Sequence, residues 1–352
     1  MANLLAQNLQ HFYRVAFTGL IALTFLVSCG DKPTEDVITG GSDAEILNLK
    51  DSTVHLFSAV LPLDKIRGKK SHFDEFITID SNGTYIHPHM FSEGYYFFEF
   101  DGFKVKYFIR EGKILSMDID ASKPTKKPDF SNKMKYESRY LFDKHMVLVK
   151  FHSDAEGYYS LSEKEFLLVV NQLRGQLDKM LVQYITNRPG GSEYFMKQES
   201  LSNLYFMATL LEKYQTKHRE LLNDQSFTVS NTFSNLTNNL SWNDLNATEN
   251  AEYFNFLESK AWSTAGYPNS IDNVYSQLDL IDSTITTEDY KDYLLFSTTR
   301  EVAKWEKSNQ RTEVIDSLIY RISDSEIKHF LVQNIQQDTI SVVENDSINI
   351  IQ

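Results

Sequence analysis

With one cysteine in 352 residues, Cys29, the chain has no partner for an intrachain disulfide. Once that thiol is used, no thiolate remains for catalysis or for metal ligation. Basic residues are outnumbered, 35 Lys and Arg against 48 Asp and Glu, and the formal charge is −13. No long basic run or basic helix face occurs, which excludes nucleic acid as a partner and leaves an anionic lipid surface little to attract. Long apolar runs are scarce as well. The uncharged stretch from Val15 to Ser28 falls short of the roughly 20 residues that span a bilayer as a permanent helix. No helical His-Glu-x-x-His, Gly-x-Ser-x-Gly or Cys-x-x-Cys is present. The expectation is a protein that is not an enzyme and carries no cofactor.

The leader is informative. Arg14 precedes the uncharged run, which closes on Leu26, Val27 and Ser28 directly before Cys29. This order resembles the lipobox of bacterial type II lipoproteins. The resemblance implies that residues 1–28 are a signal peptide removed in the mature protein, and that Cys29 is the lipidation site, its thiol receiving a diacylglycerol. Each buried methylene contributes about 0.8 kcal/mol, so two or three acyl chains such as palmitate hold a protein on a membrane nearly permanently. Residues 29–43 have scarcely any apolar side chain and read as a flexible tether. Asp31, Glu35 and Asp36 resemble the acidic cluster that follows the cysteine in surface-exported lipoproteins of Bacteroidota, and suit a plain solvated spacer equally well. Loss of the leader removes only Arg14 among charged residues, which leaves the mature chain near −14. The expected location is the cell envelope, lipid-anchored, at the outer membrane before the inner, facing the periplasm or the surface.

From residue 44 to 122 the dominant period is two, which predicts a small antiparallel β-domain, a sandwich or barrel. Ile77 to Asp80, the Asn82-Gly83 step and Thr84 to Ile86 read as a hairpin, because Asn-Gly supplies positive φ angles. Tyr95 to Phe100, Asp101-Gly102, Phe103 to Ile109, Glu111-Gly112 and Lys113 to Ile119 read as a three-strand meander. In its middle strand Phe103, Val105, Tyr107 and Ile109 share the core face, and Lys104 and Lys106 point to water. Two prolines and three lysines between Lys123 and Pro128 break the pattern, so residues 123–132 read as a linker.

Residues 133–337 read as an irregular all-α domain, making the whole chain α+β. Ser162 and Glu165 form a capping box ahead of Phe166, Val170, Leu173, Leu177, Met180, Leu181 and Tyr184 at helical spacing. Pro189-Gly190-Gly191 stops that helix, and Ser192 caps the next. Residues 224–246 turn polar and predict a long loop or a poorly formed helix. Residues 338–352 form a tail, either a strand or without structure.

Several constellations fall short of a site. His87 and His89 have the spacing of two metal ligands on an extended segment, without a third. Asp118 and Asp120 suit paired acids and suit a solvated strand end. Gly68 to Ser71 resembles the close of a phosphate loop, but the glycine five residues before the lysine is missing. Asp80, Asn82 and Thr84 lack the glycine and glutamate of a calcium loop. Ser325 and Lys328 have Ser-Lys spacing without companion motifs. Aromatic residues, including Trp242, Trp262 and Trp305, make up 13% of the chain, enough to fill a core or to stack on sugars and anchor a partner.

The lipobox, the Gly-Tyr-Tyr-Phe-Phe-Glu-Phe strand at residues 94–100, the Glu111-Gly112 turn and the Ser162 helix together resemble the N-terminal region of Bacteroidota TlpA-like thiol:disulfide oxidoreductases. In that family a thioredoxin-fold domain with Trp-Cys-x-x-Cys follows the helices. That motif is missing here, and no catalytic residue is carried over. The expectation is a non-catalytic binding or scaffolding lipoprotein that meets a protein, peptide or glycan in the envelope. Its cleft is expected between the domains near Lys123 to Tyr140. The alternatives are an accessory or truncated member of a TlpA-like system, and a SusD-like glycan-binding lipoprotein.

Overall fold

The computed structural model describes residues 44–47, 53–78, 84–87, 92–100, 103–110, 116–118, 129–131, 135–188 and 190–336. Cys29, the leader, the tether and the tail lie outside these residues. The chain is α+β, with eight strands and eleven helices among the described residues.

Four strands form an antiparallel sheet in the order β3-β2-β5-β6: β2 (Thr53–Ser58), β3 (Asp74–Thr78), β5 (Gly94–Phe100) and β6 (Phe103–Ile109). The register sets Phe98 opposite Leu56 and Val105, and Tyr96 opposite Tyr107. Period-two alternation then collects Leu56, Tyr96, Phe98, Val105, Tyr107 and Ile109 on one face, and all six are buried. The other face carries Phe57, Tyr95, Phe97, Lys104, Lys106 and Phe108.

A second sheet has the order β4-β1-β7-β8, from β1 (Ala44–Leu47), β4 (Thr84–His87), β7 (Ser116–Asp118) and β8 (Asp129–Ser131). Its β1–β7 pair is parallel, so the all-antiparallel expectation fails there. Two other expectations are corrected. β3 and β4 do not form a hairpin, because β3 pairs with β2 and β4 pairs with β1 in the other sheet. The third strand of the meander likewise leaves its neighbour, β7 pairing with β1 and β8. In both cases a turn signal marks where the chain changes sheet, since a reversal does not dictate which strand becomes the partner. Strand β8 also falls inside the stretch read as a linker.

Between β2 and β3 the chain makes a short helix, α1 (Pro62–Ile66), with proline at its first position. After β8 come α2 (Lys135–Ser153), α3 (Ala155–Tyr159), α4 (Glu163–Asn187), α5 (Glu193–Leu222) and α6 (Asn231–Ser234). The predicted capping box is present at α4, where the Ser162 amide donates to Glu165 at 3.2 Å. Hydrogen bonds from Ser162 hold the Glu165 carboxyl below its ordinary value. The α4 stripe from Phe166 to Tyr184 is buried, with Met180 only partly covered. Phe166 stacks on Tyr214 of α5 with centroids 4.4 Å apart. Ser192 caps α5 by accepting from the Phe195 amide at 3.1 Å.

The C-terminal bundle comprises α7 (Ala251–Ala265), α8 (Ile271–Thr284), α9 (Glu288–Val302), α10 (Asn309–Arg321) and α11 (Ser325–Gln336). Its core continues into α5 and also takes in Leu63 and Ile66 of α1. Beside them Arg67 donates from Nε to Asp324 at 2.7 Å and from Nη2 to Asp289 at 3.1 Å. At the other end Tyr140, Leu141 and Phe142 of α2 and Phe195 of α5 join the core of the antiparallel sheet. The helices and this sheet are thus packed through shared apolar side chains, and the space they enclose is the candidate site.

Candidate functional site

The second face of the antiparallel sheet forms the floor of a cavity of about 480 Å³. That volume lies in the range of small-ligand sites. Phe57, Tyr95, Phe97, Lys104 and Lys106 line the floor. The walls come from Leu141, Phe142 and His145 on α2, Gln198 and Glu199 on α5, Glu252 and Phe254 on α7, and Tyr293 and Ser297 on α9. Residues 59–62 with Lys65 and Lys69 form a rim.

A charged pair closes one wall. Lys144, 7% exposed, donates from Nζ to Glu199 Oε2 at 2.7 Å and to Ser202 Oγ at 3.0 Å. Glu199, 2% exposed, also accepts from the Tyr95 hydroxyl at 2.8 Å. Burial alone would raise the Glu199 carboxyl. The charges of Lys144 and Lys106, with the hydrogen bonds from Lys144 and Tyr95, outweigh it and hold the group below the ordinary carboxylate value. Burial beside this anion pushes the Tyr95 hydroxyl well up.

The floor cations are arranged differently. The Lys104 ammonium sits 4.4 Å from the Phe97 ring centroid and 4.9 Å from that of Phe57. Lys106 sits 4.1 Å from that of Tyr95. Among the described residues the Lys106 ammonium has this aromatic face and no hydrogen-bond acceptor, and burial pushes its pKa down. Across the cavity Glu252 accepts from Asn255 at 3.2 Å, and burial pushes its carboxyl up. Two further wall atoms, His145 Nε2 and Ser297 Oγ, are buried without a hydrogen-bond partner among the described residues. At the α9 end Arg300 is paired with Glu258 at 3.0 Å and with Glu301 at 3.2 Å. The cavity therefore offers apolar aromatic walls, satisfied ion pairs at Lys144, Lys69 and Arg300, and a few polar groups left to meet something inside. That combination suits binding.

The residues singled out in the sequence do not converge here. Cys29, His89, Asp80, Asn82 and Asp120 lie outside the described residues, as do the side chains of His87, Thr84 and Asp118. Lys69 is on the rim and pairs with Asp64 at 3.1 Å. The Lys328 ammonium donates to the Tyr320 carbonyl at 3.3 Å. Trp242 and Trp305 pack against the C-terminal bundle core, and Trp262 lies edge-on to Tyr267 at 4.9 Å. Among the described residues no group of three His, Cys, Asp or Glu could hold a metal ion, and no helix is long and apolar enough to cross a membrane. Of the cleft expected near Lys123 to Tyr140, residues 123–128 lie outside the described residues, and the cavity is lined from the next turn, Leu141 to His145.

Lys106 and Glu199 escaped sequence reasoning. Alternation sent Lys106 to the solvent side, but helices cover that face. The available signal was the apolar run Tyr95 to Phe98, whose side chains on both faces mark a strand buried on both sides.

Comparison of the chain with protein-family models, with curated proteins and with solved structures finds no match.

Proposed function

We propose that this chain is a lipid-anchored protein of the bacterial cell envelope that binds a ligand in the cavity between its antiparallel sheet and its helices, without transforming it. The carrying observation is the cavity itself, about 480 Å³ walled by aromatic side chains and holding polar groups that no atom of the described residues satisfies. The lipobox order ending at Cys29 supports the anchor and the envelope location. We also propose that the second sheet covers the buried face of Leu56, Phe98 and Tyr107, completing a β-sandwich. A sheet face that apolar needs a second layer, which supports this arrangement.

The test uses the chain from residue 29 onward with Cys29→Ser, which retains every described residue and needs no detergent. The neutral fluorophore N-phenyl-1-naphthylamine should bind with saturable, one-site enhancement. Ser297→Phe should abolish it, since the new ring fills the cavity while the lost hydroxyl had no partner. No saturable uptake by the parent chain, or equal uptake by a folded Ser297→Phe chain, would overturn the reading.

A further inference from the structure

We infer that the ligand is an amphiphile with a single anionic carboxylate, its head held by Lys106 and its apolar body lying along the aromatic floor. This rests on the cavity being a ligand site.

The charged groups around the cavity fall into two kinds. Most are already answered by protein: Lys144 by Glu199, Lys69 by Asp64, and Arg300 by Glu258 and Glu301. Lys104 and Lys106 are not. They are two residues apart on one strand, hence on one face, and among the described residues each ammonium lies over aromatic rings with no hydrogen-bond acceptor. Lys106 is the inner of the two. Its environment includes Tyr95 beneath it, Lys144 and Glu199 on the walls and Glu252 across the space. The half-buried Lys106 ammonium opens on the cavity with no hydrogen-bond acceptor among the described residues, and a ligand oxyanion supplies one.

The acidic walls limit how much negative charge a ligand can bring. Lys106 and Lys144 face Glu199 and Glu252, with Lys213 of α5 also acting on Glu252. Glu199 is ionised beside Lys144. Burial raises the Glu252 carboxyl, which weakens its hold on the cation of Lys106. A carboxylate brings one negative charge to Lys106, whereas a dianionic phosphate would place a second beside the carboxyls of Glu199 and Glu252. The body of the ligand is set by the walls, where Phe57, Phe97, Phe142, Phe254 and Phe296 present rings. A carboxylate on an aliphatic or arylaliphatic chain matches both parts.

The experiment displaces the bound fluorophore from the residue 29 chain with three chains of equal length: dodecanoate, dodecanol and dodecyl phosphate. Dodecanoate should displace it at about tenfold lower concentration than dodecanol or the phosphate, as expected for one charge-assisted hydrogen bond. Lys106→Met should still take up the neutral fluorophore and bind dodecanol as before, while the preference for dodecanoate disappears. Lys106→Arg should restore most of it. Equal displacement by dodecanoate and dodecanol, tighter displacement by the phosphate, or a preference that survives Lys106→Met would each overturn the inference while leaving the cavity a ligand site. Failure of the fluorophore to bind the parent chain would instead remove the reading on which it rests.

Discussion

Lys144→Met isolates the energetic cost of building the cavity around charge. The substitution keeps the stem that packs along α2 and removes the ammonium lying 2.7 Å from Glu199 and 3.0 Å from Ser202. Truncating one member of a buried ion pair costs about 3–5 kcal/mol, because the other charge stays buried without its partner. Tyr95 still donates to Glu199 and Lys106 still acts on it, which places the cost at about 3 kcal/mol. With a urea dependence of about 3 kcal/mol per molar, the unfolding midpoint drops by about 1 M. Tryptophan fluorescence and far-ultraviolet dichroism of the residue 29 chain read the transition. The pH dependence has a definite sign. In the parent, the Glu199 carboxyl lies below its unfolded value, so its contribution is present above about pH 4.3 and is lost as pH falls through the depressed folded value. In Lys144→Met burial dominates and that value rises above the unfolded one, so the penalty is present at neutral pH and fades on acidification. The gap between the two proteins should therefore be widest near pH 7 and narrow toward about pH 4. Lys144→Met with Glu199→Met should recover most of the loss, since no charge is left stranded. A single variant within about 1 kcal/mol of the parent at pH 7, or a gap that ignores pH, would refute the account.

Gly68→Ala tests the rim. Gly68 has φ +72°, and an added Cβ would stand 2.6 Å from Phe330 Cδ2 of α11. The left-handed backbone alone costs about 1–2 kcal/mol. Hydrogen exchange should accelerate at residues 60–70 and in α11, and unchanged exchange there would show that the contact does not hold the rim. For the anchor, metabolic labelling with a radioactive fatty acid should mark the parent chain and fail for Cys29→Ser, and labelling of the substituted protein would reject lipidation at this position.

Local signals translated into local structure with little loss. Ser162 and Glu165 sit at the start of α4, Ser192 caps α5, and the alternation from Phe103 to Ile109 is a strand with Val105, Tyr107 and Ile109 buried. The polar stretch after Asp224 is loop, interrupted by a single turn of helix at Asn231–Ser234 and a 3-10 turn at Leu245–Ala247. Partner choice was not legible. The same Asn82-Gly83 step serves a hairpin and a change of sheet, and short strands such as β4 and β7 carry too few side chains to declare a neighbour. The site was hidden for a related reason. Lys106, Lys144, Glu199 and Glu252 are separated by 38, 55 and 53 residues, and each taken alone is an ordinary charged residue on an amphipathic element. Only the packing of α2, α5 and α7 over β5 and β6 turns a strand face patterned like a solvated one into an enclosed floor.

The Arg67–Asp324 bond joins residues 257 positions apart, which gives the molecule an order of assembly. A chain made from its N-terminus presents the β2-α1-β3 segment early, with Leu63 and Ile66 lacking the bundle that later surrounds them. Strands and early helices can reach their local partners at once, but the rim must wait for α9 and α11. Contacts of such high sequence separation form late. The seam between α1 and α11 thus closes only after the chain has been delivered through at least Asp324. A chain stopped before Asp324 keeps the sheet, the cavity floor and the helices that wall it, and loses the clasp that ties α1 to the last helix.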